Sequence, residues 1–190
     1  MGKSPLNDTF GKDGNNMKKL EEYVVSIPDF PNPGIIFRDV TSILQDADGL
    51  NLAIETLLSM LKDVDFDVVV GAESRGFIFG TPVAYALHKA FVLARKPGKL
   101  PRETVSREYA LEYGTSAIEL HKDSIKPGQK VVIIDDLIAT GGTVEAIAGL
   151  VEELGGQVVK ICFVMELAGL EGRKKLEKYD VESAIIYEGH

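Results

Sequence analysis

Residues 131–143, Val131-Val132-Ile133-Ile134-Asp135-Asp136-Leu137-Ile138-Ala139-Thr140-Gly141-Gly142-Thr143, carry most of the structural information in this chain. The first four are β-branched and do not alternate with polar residues, the pattern of a central parallel strand buried on both faces. Asp135 and Asp136 then fall at the strand's carboxyl end, where open α/β sheets bind ligands. After Leu137, Ile138 and Ala139 the chain turns through Thr140, Gly141, Gly142 and Thr143. It continues into a segment with Val144, Ile147, Ala148, Val151 and Leu154 at helical spacing. A helix N-terminus preceded by glycines and hydroxyls is an anion site, because its free N–H groups and its dipole point the same way. The two carboxylates would repel a phosphate; they suit two adjacent hydroxyls, or a divalent cation held indirectly. A phosphorylated ribose satisfies both halves. The stretch has neither the lysine of a P-loop nor the glycine spacing of a dinucleotide fold.

Outward from this stretch, strand and helix alternate. A short helix is predicted over 18–25; Pro28, Pro31 and Pro33 then impose an extended, irregular connection ending in Gly34-Ile35-Ile36-Phe37-Arg38-Asp39. A helix over 48–62 has Leu50, Ala53, Ile54, Leu57, Leu58 and Leu61 on its apolar face, and 67–71 reads as a strand. A helix over 75–89 carries Phe77, Ile78, Val83, Ala84 and Leu87 inward, and 91–94 is a further strand. Beyond the central stretch, 156–165 is a strand, 170–178 a short helix and 184–187 a last edge strand. Such alternation implies a parallel sheet with helices on both faces. The polar stretch 96–109, with Pro97, Gly98 and Pro101, breaks the rhythm. It reads as a mobile loop, a candidate lid for excluding water, leading into an antiparallel excursion over 106–120 centred on Gly114.

A second anion site is expected at Gly71-Ala72-Glu73-Ser74-Arg75-Gly76, which also follows an apolar strand and opens a helix. Its amides and the Arg75 guanidinium can grip an anion, and a cis Glu73–Ser74 peptide would turn those amides inward.

Composition bounds the rest. A chain of 190 residues, 45% apolar, suits one domain with a substantial core. A net charge of −8 argues against a nucleic-acid partner. An anionic substrate must then be held by a few placed cations, and Lys96, Lys99, Arg102 and Arg107 gather in the loop where they could steer it. The single cysteine, Cys162, lies in an apolar run and reads as a buried strand thiol. No apolar run approaches the roughly 18 residues that span a bilayer, and no hydrophobic signal segment opens the chain, so no membrane association and a cytoplasmic location are expected. Residues 1–16 are polar and rich in Gly and Asn, reading as a disordered leader or tag-like extension ahead of a single domain over 17–190.

Residues 131–143 resemble the phosphoribosyl pyrophosphate (PRPP) motif of the type I phosphoribosyltransferases: an apolar strand, two acids, a short spacer, then Thr-Gly-Gly-Thr. Glu73-Ser74-Arg75-Gly76 resembles that family's pyrophosphate loop. Three more segments resemble, in order and separation, its adenine phosphoribosyltransferase branch. They are Phe30-Pro31-Asn32-Pro33-Gly34-Ile35-Ile36-Phe37-Arg38-Asp39, Arg95-Lys96-Pro97-Gly98-Lys99-Leu100-Pro101 and Leu111-Glu112-Tyr113-Gly114. The resemblance covers the chain from about Met17 to its C-terminus. It implies an α/β fold: a central, mostly parallel sheet flanked by helices, a small N-terminal hood over about 17–40, and an antiparallel flexible-loop excursion with its lid over about 96–109. It implies a glycosyltransferase of purine salvage that moves the 5-phosphoribosyl group from PRPP to adenine, giving AMP and pyrophosphate. It also implies Mg²⁺, held mainly through substrate and water with Asp135 and Asp136 nearby, and a homodimer in which Arg95 or Lys99 could reach the neighbouring site. Two alternatives stay open: another purine or pyrimidine phosphoribosyltransferase, or a non-catalytic PRPP-sensing regulator on the same fold.

Carried over residue by residue, the resemblance assigns the 5-phosphate to Ala139, Thr140, Gly141, Gly142 and Thr143 and the ribose to Asp135 and Asp136. Pyrophosphate falls to Glu73, Ser74, Arg75 and Lys99, and adenine to Ile36, Phe37, Arg38 and Leu137. Main-chain carbonyls near Ile36 and Arg38 can accept from an exocyclic amine and would repel a 6-oxo group. Glu112 is the candidate contact for a ring nitrogen of the base. The implied catalytic set is Glu112, Asp135, Asp136, Arg75 and Lys99, with acids near the sugar's developing positive charge and cations on the leaving group.

Overall fold

The computed structural model describes residues 18–110 and 114–189. In chain order these form a 3-10 turn at Leu20–Tyr23, then β1 (Val25–Pro28), β2 (Ile36–Asp39), α1 (Thr41–Leu44), α2 (Ala47–Met60), β3 (Val68–Ala72), α3 (Arg75–Ala86) and β4 (Ala90–Ala94). There follow β5 (Thr104–Ala110), β6 (Thr115–His121), β7 (Lys130–Ile138), α4 (Gly142–Glu153) and β8 (Gln157–Leu167). Two 3-10 turns at Ala168–Leu170 and Gly172–Leu176 then lead into β9 (Val181–Tyr187).

Five strands make the central sheet in the order β4-β3-β7-β8-β9, and every neighbouring pair is parallel. The unalternated run in β7 has the expected cause. Val131 and Ile133 pack on one face with Ile147, Leu150 and Val151 of α4. Val132 and Ile134 pack on the other with Ala53 and Leu57 of α2 and Phe79 and Val83 of α3. Cys162 is buried within β8, and burial pushes its thiol up to about 12. No helix among the described residues is long and apolar enough to cross a membrane.

Several expectations are corrected. Ile78, expected inward, is 44% exposed, while Phe79 is fully buried. The inward stripe of α3 is Gly76, Phe79, Gly80, Val83 and Ala84, whose small members let the helix approach the sheet closely. The helix expected over 170–178 is instead two 3-10 turns, split at Glu171, whose φ is +55°. The proline-rich connection is partly ordered: β1 and β2 pair antiparallel from Val25↔Asp39 to Pro28↔Ile36. Pro28 is tolerated because it ends a strand in a two-stranded pair, where its missing N–H breaks no interior ladder. Asp29 Oδ1 accepts from Gly34 N at 2.7 Å and closes the turn, which contains a cis Phe30–Pro31 peptide.

The excursion beyond β4 is a hairpin of β5 and β6, paired from Thr104↔His121 to Ala110↔Thr115. Strand therefore occupies most of the latter half of the stretch 96–109. Residues 1–16 and Glu112 lie outside the described residues.

Candidate active site

β3 and β7 pair from Val68↔Val131 to Gly71↔Ile134 and then part. β7 continues against β8 as far as Ile138↔Glu166, so Asp135 and Asp136 lie within the strand rather than beyond its end. The long β8 supplies the partner that the local pattern could not reveal. On the side that β3 leaves, the start of α3 moves in. A Cβ on Gly76 would lie 2.8 Å from both Asp135 Oδ1 and the Ile134 carbonyl, so this approach requires glycine.

That contact brings Arg75 onto Asp136, with Arg75 Nε donating to Asp136 Oδ2. Asp136 is 4% exposed. Asp135 Oδ1 accepts from the Asp136 amide at 2.8 Å. Burial first, and then the charge of Asp136, push the Asp135 carboxyl well above the usual carboxylate range. The pair thus offers one acid matched to a cation and one that resists carrying charge until positive charge arrives beside it.

The Glu73–Ser74 peptide is cis, as the residues suggest. Glu73 gathers cations: its Oε1 meets Arg95 Nη2 at 3.1 Å and Lys99 Nζ at 3.4 Å, and its Oε2 accepts from Lys96 N at 2.7 Å. Burial works against ionisation of Glu73, but these hydrogen bonds and the Arg95 charge hold its carboxyl below the usual range. Arg95 and Lys99 are therefore collected beside the loop that carries Arg75 within one chain.

Residues 139–143 connect β7 to α4. Gly141, at φ +77°, is the N-cap and has no side chain with which to cap the helix, so the first amides of α4 lack a side-chain partner. A cavity of about 100 Å³ is bounded by Asp135, Leu137, the whole of 139–143, and Phe163. The structure thus brings together Asp135, Leu137 and the glycine-rich turn around one cavity, with Asp136 joined to Arg75 alongside.

Ile36, Phe37 and Arg38 lie on β2. Phe37 is 38% exposed and meets Phe30 edge-on, with ring centroids 5.3 Å apart, so it is not a core side chain. Arg38 stacks over Tyr187 of β9, 4.3 Å from the ring centroid, and its Nη1 donates to Ser26 Oγ. These contacts tie the β1–β2 pair to the far edge of the sheet.

Sequence reasoning missed the floor of the glycine-rich turn. A Cβ on Gly172 would lie 2.2 Å from the Ala139 carbonyl, and one on Gly141 would lie 2.5 Å from the Gly172 carbonyl, so two backbones touch with no room for side chains. Arg173 anchors the turn that supplies Gly172. Its Nε and Nη2 donate to Glu166 at 2.7–2.9 Å and its Nη1 to the Val181 carbonyl at 2.8 Å, while Ser183 Oγ donates to Glu166 Oε2 at 2.7 Å. A lone Gly-Arg pair far along the chain carries no local signal of this partnership.

A parallel sheet whose carboxyl edge joins two adjacent acids, a glycine-rich helix start and an arginine-bearing loop defines a phosphoribosyltransferase. The family model described as "Phosphoribosyl transferase domain" matches residues 40–189. The adenine phosphoribosyltransferase of Lachnoclostridium phytofermentans is 70% identical over 173 residues, 91% of this chain and 99% of that relative. The crystal structure of the adenine phosphoribosyltransferase of Thermoanaerobacter pseudethanolicus is 53% identical with a TM-score of 0.85, covering 89% of this chain and 100% of that one. The Saccharomyces cerevisiae adenine phosphoribosyltransferase, solved with an imino-altritol bisphosphate and adenine, is 40% identical with a TM-score of 0.81, covering 87% and 96%. The chain belongs to the adenine phosphoribosyltransferase family.

Proposed function

We propose that this chain transfers the 5-phosphoribosyl group of PRPP to adenine, giving AMP and pyrophosphate. The observation that carries the reading is the cavity joining Asp135, Leu137 and residues 139–143, with Asp136 held by Arg75 of the second loop. In this assignment the amides of 139–143 hold the 5-phosphate and Asp135 and Asp136 orient the ribose hydroxyls. The acids also favour positive charge on C1 as the bond to pyrophosphate breaks. Arg75 and Lys99, with Ser74 and the adjoining amides, receive the leaving group; Glu73 keeps the cations gathered. Adenine lies against Phe37 and Leu137, its amino group directed to main-chain acceptors near Ile36 and Arg38. Pro28, the register partner of Ile36, has no N–H to occupy the Ile36 carbonyl, which supports that acceptor role. Glu112 contacts a ring nitrogen of the base and helps manage its proton.

Mg²⁺ suits this oxygen-rich site. Among the described residues no cluster of three potential metal ligands forms, and Asp136 is already paired with Arg75, which favours a cation carried by substrate and water with Asp135 and Asp136 nearby. When bound it would neutralise charge on the pyrophosphate. The β1–β2 pair serves as a hood within a single domain over 17–190 and the connection after Lys96 as a lid. A homodimer in the cytoplasm fits the apolar side chains left exposed at Ile78, Tyr85 and Leu93. The test is incubation with PRPP, Mg²⁺ and each nucleobase in turn. AMP should form from adenine alone; no AMP would refute the proposal, and turnover of a 6-oxo purine would refute the base assignment.

A further inference from the structure

Resting on the reading of residues 139–143 as the 5-phosphate loop, we infer that Lys175 supplies the cation that this loop lacks, its Nζ contacting the 5-phosphate of PRPP and of AMP. The loop itself, Ala-Thr-Gly-Gly-Thr, has no basic side chain, and a phosphomonoester carries close to two negative charges at neutral pH. The other cations of the site are engaged elsewhere: Arg75 on Asp136, and Arg95 and Lys99 on Glu73.

Lys175 lies over the first residue of α4. A Cβ on Gly142 would stand 3.6 Å from Lys175 Nζ, 3.5 Å from the Tyr109 ring and 3.3 Å from the Ala110 carbonyl. Its neighbours in sequence are spent on ion pairs, Lys174 with Glu171 at 2.6 Å and Lys178 with Glu152 at 2.9 Å. Lys175 has no ion pair among the described residues. The backbone beneath it is fixed at three points. Gly172 abuts the Ala139 carbonyl, Arg173 is held by Glu166 and the Val181 carbonyl, and Leu176 is fully buried. An exposed, flexible lysine on a fixed turn delivers an ammonium to a defined place without losing its reach. The Arg173 clasp is then a positioning device, and Lys175 the group that touches substrate.

The test compares full-length wild type, Lys175→Met and Lys175→Arg by calorimetric affinity for AMP and for adenosine, together with KM for PRPP and for adenine. Lys175→Met should weaken AMP and raise the PRPP KM by about tenfold or more, the size of a lost charge-assisted hydrogen bond. Adenosine affinity and the adenine KM should stay within twofold, and Lys175→Arg should recover most of the loss. A Thr140→Val, Thr143→Val protein reports on the loop independently. If it loses AMP over adenosine discrimination while Lys175→Met retains it, the lysine inference is overturned and the loop reading stands. If neither variant changes that discrimination, the loop reading falls, and this inference with it.

Discussion

Arg173→Met should destabilise the fold and loosen the floor of the glycine-rich turn together. Glu166 is 5% exposed and accepts three hydrogen bonds from Arg173 and one from Ser183. Removing the guanidinium leaves a buried carboxylate with a hydroxyl as its remaining partner. Breaking a buried pair from one side costs about 3–5 kcal/mol; the low end applies because the Arg173 side chain is 41% exposed and water can enter behind it. For a chain of this size about 3 kcal/mol lowers Tm by roughly 6–12 °C. Because Gly172 abuts the Ala139 carbonyl, the PRPP KM should rise more than the adenine KM. Thermal melts followed by circular dichroism, with both KM values measured well below Tm, give the readout. Glu166→Leu combined with Arg173→Met should be more stable than Arg173→Met alone, since no charge is then stranded. A single variant melting within about 2 °C of wild type would refute the reasoning, as would a double variant less stable than the single one.

Gly172→Ala should raise the PRPP KM at least tenfold, since its Cβ would sit 2.2 Å from the Ala139 carbonyl and force the turn or the loop aside; unchanged kinetics would refute this packing. Asp135→Asn should abolish most turnover yet stabilise the ligand-free protein at neutral pH. The folded-state carboxyl is raised well above its ordinary value, so the stability gained from its bound proton is present at low pH and lost as pH rises through the folded pKa. The Tm difference, variant minus wild type, should therefore grow from pH 5 to pH 8, and a pH-independent difference would refute the burial argument. Glu112→Ala should lower kcat or raise the adenine KM with the PRPP KM little changed; wild-type values for all three would return Glu112 to a structural role.

What the sequence disclosed was whatever has a local cause. Val131 to Ile134 announce a two-faced strand because no polar residue interrupts them, and Thr140 to Thr143 mark a helix start because glycines and hydroxyls there precede apolar residues at helical spacing. Arg75 was legible as a loop cation, but its partner was not, since the Arg75–Asp136 contact depends on β3 leaving β7 after Ile134. Equally hidden was the end of β7, which β8 extends across both aspartates. Prolines misled in the opposite direction. Pro28, Pro31 and Pro33 suggest irregular chain, yet an isolated two-stranded pair can accept Pro28 at its end. Gly172, Arg173 and Lys175 gave no sign at all, because a short turn has no periodicity and its importance arises only where the chain returns to the sheet.

The charges of the site are matched to one another: Arg75 holds Asp136, and Glu73 holds Arg95 and Lys99. Despite its burial, the Glu73 carboxyl is held below the usual carboxylate range by the pairing with Arg95 and Lys99. On the proposed assignments, substrate binding is then an exchange. Pyrophosphate competes for Arg75 and Lys99 while ribose hydroxyls take up the Asp136 carboxylate oxygens that Arg75 releases. The two halves of the site are coupled by this exchange, because Arg75 cannot move wholly to pyrophosphate without leaving Asp136 in need of a new donor. A diol bound on the same molecule supplies that donor at the moment it is required. PRPP carries both groups, whereas pyrophosphate alone or ribose alone leaves one partner unsatisfied, and so the paired ground state itself discriminates in favour of the whole substrate.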